Sequence, residues 1–390
     1  MSKFDSEKLQ KLKRIDNLLK SLCFFPLNKK NRPLIIDEPI AEIVIIAIMM
    51  IGDTIMSIPS LAVLKRNFPH ARITLICEPV VKVILDDQNL ADNFIVVNSP
   101  WLHNNYSVKN IRQLINGIKK ANKTRYDIAI DFRGDWRNIF LMNFIRAKRK
   151  VSFDYSGGEY MLTDVISEKP AILHYIDQWL YLLKSIGCTV YDDDKYPSLK
   201  LTVQAEQFLN DFKTRHSLQN TFVLGVHPGA SLTTRKWDEK KYIELLLKLS
   251  KKNQNLKILL FEGPNESLTI LKIKNALMSE RVDTIVVNES LKNYITLINC
   301  CNLLICNDSG AGHIAGAFGI PSVIIFGKSD PETVKPYNRN YIRIISHFND
   351  NIKKMQDAGN REYLESITVN EVYKAASNFI DTVNNPHYIK

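Results

Sequence analysis

Residues 43–68 read IVIIAIMMIGDTIMSIPSLAVLKRNF. Ile43–Met50 is an apolar, β-branched run of strand length, as expected for a strand buried on both faces. Gly52 breaks the run, and the spacing beyond it predicts a helix over Thr54–Phe68. Strands are expected next at Arg72–Cys77, Phe94–Val97 and Asp127–Phe132, with helices at Trp136–Ile145 and His174–Ile186. Residues 156–200 are otherwise less regular. The alternation restarts at Phe222–Val226 and continues with strands at Lys257–Phe261, Thr284–Val287, Leu303–Cys306 and Ser322–Phe326. Helices fit between them at Glu239–Ser250 and Leu268–Met278, and Val369–Val383 reads as a closing helix. Strands alternating with helices imply parallel sheets with right-handed crossovers. The fold class is therefore α/β, in two halves.

The chain has 390 residues, 45% hydrophobic and 24% charged, which suits a globular protein of two ordinary domains and excludes fibrous or wholly disordered classes. Four segments are expected. Residues 1–40 form a basic amphipathic extension and linker, and 41–205 a first α/β domain. Residues 206–366 form a second such domain, and 367–390 close the chain.

The formal net charge is +11, and residues 1–32 hold nine Lys/Arg against three acids. The body is thus only mildly basic, which argues against a nucleic-acid partner. In the extension Leu9, Leu12, Ile15, Leu18, Leu19 and Leu22 recur at helical spacing between lysines. Such a helix either lies on an anionic membrane surface or docks on the protein's own body. The longest apolar run, from Ile43 to Ile51, is nine residues, well short of the roughly 20 a spanning helix needs. No secretory leader is visible at the start. The six cysteines form no CxxC pair and no zinc-type spacing, and read as buried free thiols.

Ligands of doubly wound sheets bind beyond the carboxyl ends of the strands. Three strand-end segments carry suitable chemistry. At Gly52-Asp53 the carboxylate reads either as a helix cap or as a side chain pointing into an inter-domain cleft. At His227-Pro228-Gly229-Ala230-Ser231, followed by Thr233, Thr234, Arg235, Lys236 and Trp237, a strand runs into a loop of hydroxyls, amides and two cations. Those are the groups a diphosphate needs. At Asn307-Asp308-Ser309-Gly310-Ala311-Gly312-His313 a strand opens into a helix of small residues, whose free N–H groups suit phosphate. The cluster Arg133, Arg137, Arg146, Lys148, Arg149 and Lys150 reads either as surface charge or as a basic binding face. Asp192-Asp193-Asp194 reads as a solvated charge run.

Taken in order, GDTIMSIPSLAVLKRNFP (52–69), DIAIDFRG (127–134), the segment His227–Leu246, FEGPNE (261–266) and NDSGAGHIAGAFGIPSVIIFG (307–327) resemble glycosyltransferase family 9. This is the family of the lipopolysaccharide heptosyltransferases. The resemblance covers about residues 41–385.

It implies a GT-B architecture, two Rossmann-like domains facing across a cleft, and an inverting glycosyltransferase that needs neither metal nor other cofactor. The implied donor is a nucleotide sugar, most often ADP-heptose. The implied acceptor is a lipopolysaccharide core or another surface glycan. Asp53 matches the general base. Thr234, Arg235 and Lys236 match the diphosphate loop, and Glu266 a carboxylate on the nucleoside ribose. Asp308, Ser309, Gly310, Ala311, Gly312 and His313 match the donor-phosphate turn. Arg133 and Arg137 become acceptor contacts. Ala47 stands where the family more often has a cation, which points to an acceptor other than Kdo-lipid A; Arg235 stands where the family more often has a Lys. The implied location is cytoplasmic, peripheral at the inner membrane. The alternatives are a nucleotide-sugar epimerase of the same fold, or transfer of a different sugar in O-antigen or capsule synthesis.

Overall fold

The computed structural model describes residues 35–36, 39–167, 174–327, 329–347 and 362–384. The basic helix expected in the first 32 residues lies outside them, as does Cys23. The described chain divides between Lys195 and Tyr196 into two compact units.

The first unit runs β1 (Glu42–Ala47), α1 (Ile51–Asn67), β2 (Arg72–Cys77), α2 (Pro79–Leu85), β3 (Asn93–Val96), α3 (Val108–Ala121), β4 (Tyr126–Asp131) and α4 (Trp136–Asn143). It ends with β5 (Ala147–Phe153), β6 (Asp164–Ile166) and α5 (Tyr175–Ser185). Its six strands pair in the order β3-β2-β1-β4-β5-β6, all parallel. The second unit runs α6 (Val203–Arg215), β7 (Phe222–His227), α7 (Glu239–Lys252), β8 (Leu256–Phe261), α8 (Ser267–Ser279), β9 (Thr284–Val287) and α9 (Leu291–Ile298). It continues through β10 (Leu303–Asn307), α10 (Gly310–Ala317), β11 (Ser322–Ile325), α11 (Pro331–Val334), β12 (Ile342–Ile345), α12 (Glu362–Ser366) and α13 (Val369–Asn384). Its strand order is β12-β11-β10-β7-β8-β9, again all parallel.

Both sheets follow the same plan. The chain lays three strands outward from the centre, then returns to the other side of the first. The reversal falls between β1 and β4 in one sheet and between β7 and β10 in the other. At such a switch point neighbouring strand-end loops diverge and leave room for a ligand.

The central strands are apolar because both faces are covered. Ile43, Val44, Ile45 and Ile46 are wholly buried, as are Leu303, Leu304 and Ile305. In the second unit α7, α8 and α13 cover one core of Leu245, Leu246, Leu249, Ile273, Val372 and Ile380. Trp237 anchors that layer, its indole N–H donating to the Ile367 carbonyl at 3.1 Å.

Three local expectations change. The strand ends before Gly52, at Ala47; α1 starts at Ile51, and Gly52 sits in its first turn without a positive φ. The cap position is Met50, so Asp53 is the third residue of the helix and not its cap. The basic segment 146–150 is only partly an open face: Arg146 and Lys148 are exposed, but Arg149 and Lys150 are not. Ala147–Phe153 is a strand in which Arg149 is buried and ion-paired with Asp164 of β6 at 2.5 Å. Lys150 is buried too and donates to the Asn143 carbonyl at 2.8 Å. Asp194 likewise is not a solvated charge: it accepts both terminal nitrogens of Arg66, at 2.6 and 2.7 Å.

Candidate active site

In the first unit, Asp53 projects from the first turn of α1, just beyond the carboxyl end of β1. Arg133 lies in the loop after β4, the strand beside β1. Its Nη1 donates to Asp53 Oδ2 at 3.0 Å and to the Ile48 carbonyl at 3.2 Å. The ion pair therefore spans the switch point and ties the carboxylate to the end of β1. Burial works against the Arg133 charge, but the Asp53, Asp135 and Asp131 carboxylates outweigh it, and its pKa is raised. A negative side chain in the first turn of α1 is also favoured by the helix dipole.

The loop that carries Arg133 is held from below. Asp131, fully buried, accepts from Ser152 Oγ and Asn138 Nδ2, each at 2.9 Å. Ser156 Oγ donates to the Gly134 carbonyl and accepts the Trp136 amide. Gly134 has φ +60°, and a side chain there would meet the Tyr155 ring, so the turn demands glycine. Arg137 closes on Asp135 at 2.6 Å. Burial pushes the Asp135 pKa up, but Arg137 and Arg133 pull harder and hold it below the usual range. Arg133 and Arg137 thus each already face a carboxylate.

In the second unit the loop after β7 folds into a 3-10 turn, Thr233–Arg235. A Cβ on Gly327 would lie 2.6 Å from the Thr234 carbonyl, so the bare backbone after β11 is what lets this turn settle. Arg235 Nε lies 3.3 Å from Asp308 Oδ2, an ion pair from the loop after β7 to the loop after β10. Lys236 Nζ is 3.8 Å from Glu266 Oε1, and His227 Nε2 is 4.0 Å from Glu266 Oε2. Burial lowers the His227 pKa, against a smaller opposing pull from Glu266. Glu266 precedes α8, accepts the Gly263 amide at 2.9 Å, and lies against Gly229: a Cβ there would fall 1.8 Å from its Oε1. Glu266, Thr234, Arg235, Lys236 and Asp308 are therefore gathered around the switch point between β7 and β10.

Ser309 takes the cap position of α10 with no side-chain hydrogen bond to the first turn. The Gly310, Ala311 and Gly312 amides thus open α10 without a side-chain acceptor, beside Asp308. A Cβ on Gly312 would press on Ile324 at 2.8 Å, so small residues seat this helix on the sheet. His313, on the same helix, is buried.

One residue escaped the sequence reading although it opens the quoted motif. Asn307, fully buried, donates to the Pro228 carbonyl at 2.6 Å and accepts the Trp237 amide and the Tyr242 hydroxyl. It pins both ends of the cationic loop to β10.

The model of glycosyltransferase family 9 (heptosyltransferase) matches residues 114–363. The chain belongs to glycosyltransferase family 9. It is a glycosyltransferase enzyme of the heptosyltransferase family. A curated relative, lipooligosaccharide heptosyltransferase 2 of Campylobacter jejuni, is 23% identical over 304 residues, 76% of this chain and 83% of the relative. The structure is similar to that of a family 9 glycosyltransferase from Veillonella parvula, with TM-score 0.75 and 22% identity, covering 89% of this chain and 99% of the other. It is also similar to E. coli ADP-heptose lps heptosyltransferase II, with TM-score 0.70, 18% identity, and coverage of 88% and 100%. The GT-B fold expected from the sequence is the fold shared with these neighbours. Among the described residues no helix is long and apolar enough to cross a membrane.

Proposed function

We propose that the enzyme transfers heptose from ADP-heptose to a hydroxyl of a lipopolysaccharide core acceptor, inverting the anomeric centre. The observation that carries this reading is the gathering of Arg235, Lys236, Asp308 and the uncapped start of α10 at one switch point. Cations beside free helix amides suit a leaving diphosphate, and in this reading they supply the charge stabilisation that a divalent ion gives elsewhere. The choice of ADP-heptose leans on the similarity to E. coli ADP-heptose lps heptosyltransferase II.

In the proposed step Asp53 takes the proton of the acceptor hydroxyl as its oxygen bonds to C1 of the donor sugar. The bond from C1 to the diphosphate oxygen breaks, and ADP leaves with the electron pair. Arg133 fixes the direction of the Asp53 carboxylate. Thr234, Arg235, Lys236 and the Asp308–His313 turn hold the diphosphate, and Glu266 takes the ribose. Arg133 and Arg137 contact the acceptor through hydrogen bonds, since a carboxylate already balances each charge. We place the enzyme on the cytoplasmic side of the membrane that carries its acceptor.

The test is transfer itself. Purified protein with ADP-heptose and a heptose-deficient core acceptor should release ADP only when acceptor is present. Turnover of ADP-heptose without acceptor would favour epimerase chemistry. Faster transfer from a UDP- or GDP-sugar would move the donor assignment elsewhere.

A further inference from the structure

Helix α3 carries a surface that the proposed transfer chemistry does not use. Gly117 lies against β3, where a Cβ would meet Val97 Cγ1 at 2.4 Å, so the helix packs closely on its glycine side. At 100° per residue the opposite side is formed by Val108, Ile111 and Ile115, with Arg112 and Lys119 immediately beside them. Val108 is 72% exposed, Ile111 41% and Ile115 46%, and Tyr106 just before the helix is 63% exposed.

The charge pattern is one-sided. From Asn105 to Arg125 the chain holds Lys109, Arg112, Lys119, Lys120, Lys123 and Arg125 and no acid. Among the described residues none of the six cations forms an ion pair with an acid. An exposed aliphatic stripe is costly in water, and a row of cations beside it selects what can cover it. A second copy of the same face would oppose cations to cations. Residues 1–32 are themselves strongly basic and complement it no better. A polyanion such as RNA would satisfy the charges and leave Val108, Ile111 and Ile115 in water.

We propose that the α3 face docks on an anionic lipid bilayer. Val108, Ile111 and Ile115 enter the interfacial region, Tyr106 sits at headgroup level, and the cations meet lipid phosphates. A 14-residue helix gives a footprint roughly 21 Å long, ample for a peripheral contact. The proposal rests on the functional reading only for its purpose, which is to bring the enzyme to a lipid-linked acceptor. Its test involves no transfer reaction, so the two can fail separately.

The test is sedimentation of the full chain with vesicles of phosphatidylcholine, and with vesicles in which roughly a third is phosphatidylglycerol. Two variants are compared, Val108→Gln/Ile111→Gln/Ile115→Gln and Lys109→Gln/Arg112→Gln/Lys119→Gln. Wild type should partition onto the anionic vesicles only. The apolar variant should lose roughly tenfold in partition and the charge variant more, each lost cation counting for roughly a fivefold factor at the surface. Both should keep the wild-type melting temperature, because every changed side chain is exposed. The proposal is overturned if wild type stays in the supernatant, or if both variants bind as wild type does. Loss of binding with the charge variant alone would show a general polyanion site and overturn it too. So would a wild-type dimer that the apolar variant splits, since the face would then be a subunit contact.

Discussion

In the first sheet Asp53 follows β1 and Arg133 follows β4; in the second Arg235 follows β7 and Asp308 follows β10. Each switch point thus carries one aspartate–arginine ion pair, with the two residue types exchanged between strands. In each arginine the Nε is buried without a hydrogen bond. Exposure separates the pairs. Arg133 and Asp53 are 17% and 19% exposed, whereas Arg235 is 32% exposed over an Asp308 that is 5% exposed. The second site turns its cation outward, as suits a phosphate ligand. The first leaves its carboxylate as open as the arginine that steadies it, as suits a base that must reach a hydroxyl proton. A shared topology places charge, and the order of charge along the strands decides what it can do.

That contrast breaks most readily at Arg133. Arg133→Met should cost turnover roughly a hundredfold through a misdirected Asp53, within the span of general-base effects, while ADP affinity stays near wild type. It should also lower the melting temperature, because a partly buried carboxylate is left without its cation. A raised acceptor KM with turnover unchanged would show that Arg133 acts through its acceptor contact alone and does not direct Asp53.

Arg235→Ala should act on the other side of the comparison. Loss of one charge-assisted contact costs about 1.5–3 kcal/mol, or roughly 10- to 150-fold in ADP affinity by calorimetry. AMP, which lacks the second phosphate, should lose less. Equal losses for ADP and AMP would remove Arg235 from the diphosphate.

Gly229→Ala sharpens the donor site further. The new methyl falls on the Glu266 carboxylate, which must swing away from Gly263 and Lys236. ADP affinity should drop by roughly tenfold with about 1–3 kcal/mol of stability, as for other overpacked sites. An alanine variant that binds ADP normally would mean that Glu266 does not touch the ribose.

The smallest effect belongs to Lys150, whose pKa burial lowers to about 8. Unfolded, it titrates near 10.4, so between about pH 8 and 10.4 the unfolded chain binds more protons and stability rises with pH. Lys150→Met should therefore stabilise the protein near neutral pH, and its advantage should shrink as pH climbs through that window. A difference independent of pH would show that Lys150 is not held as a strained cation.

Strands whose residues are apolar on both faces were legible: β2 and β9 have the bounds read from sequence, and β7, β8, β10 and β11 differ by one residue at an end. Strand β5 was not, because Arg149 and Lys150 look like surface charge until Asp164 and the Asn143 carbonyl are seen beside them. Strand β6, only three residues long, is too short to show a period. The site reading recovered the strand ends but not their ties. Arg133 lies eighty residues from Asp53, and Asn307 works by pinning a loop nearly as far away. Neither bond leaves a mark in local spacing. All five cysteines among the described residues are buried and free, as read.

The most direct test of the division of labour is Asp53→Asn, followed in one preparation by transfer turnover, ADP calorimetry and melting temperature. Asparagine keeps the size of the side chain and can still accept from Arg133, but cannot take the acceptor proton. Turnover should fall by roughly 10²–10⁴-fold, with ADP affinity and melting temperature close to wild type. Near-normal turnover in this variant would contradict that division, and would leave the Asp53–Arg133 pair as a structural tie at the end of β1.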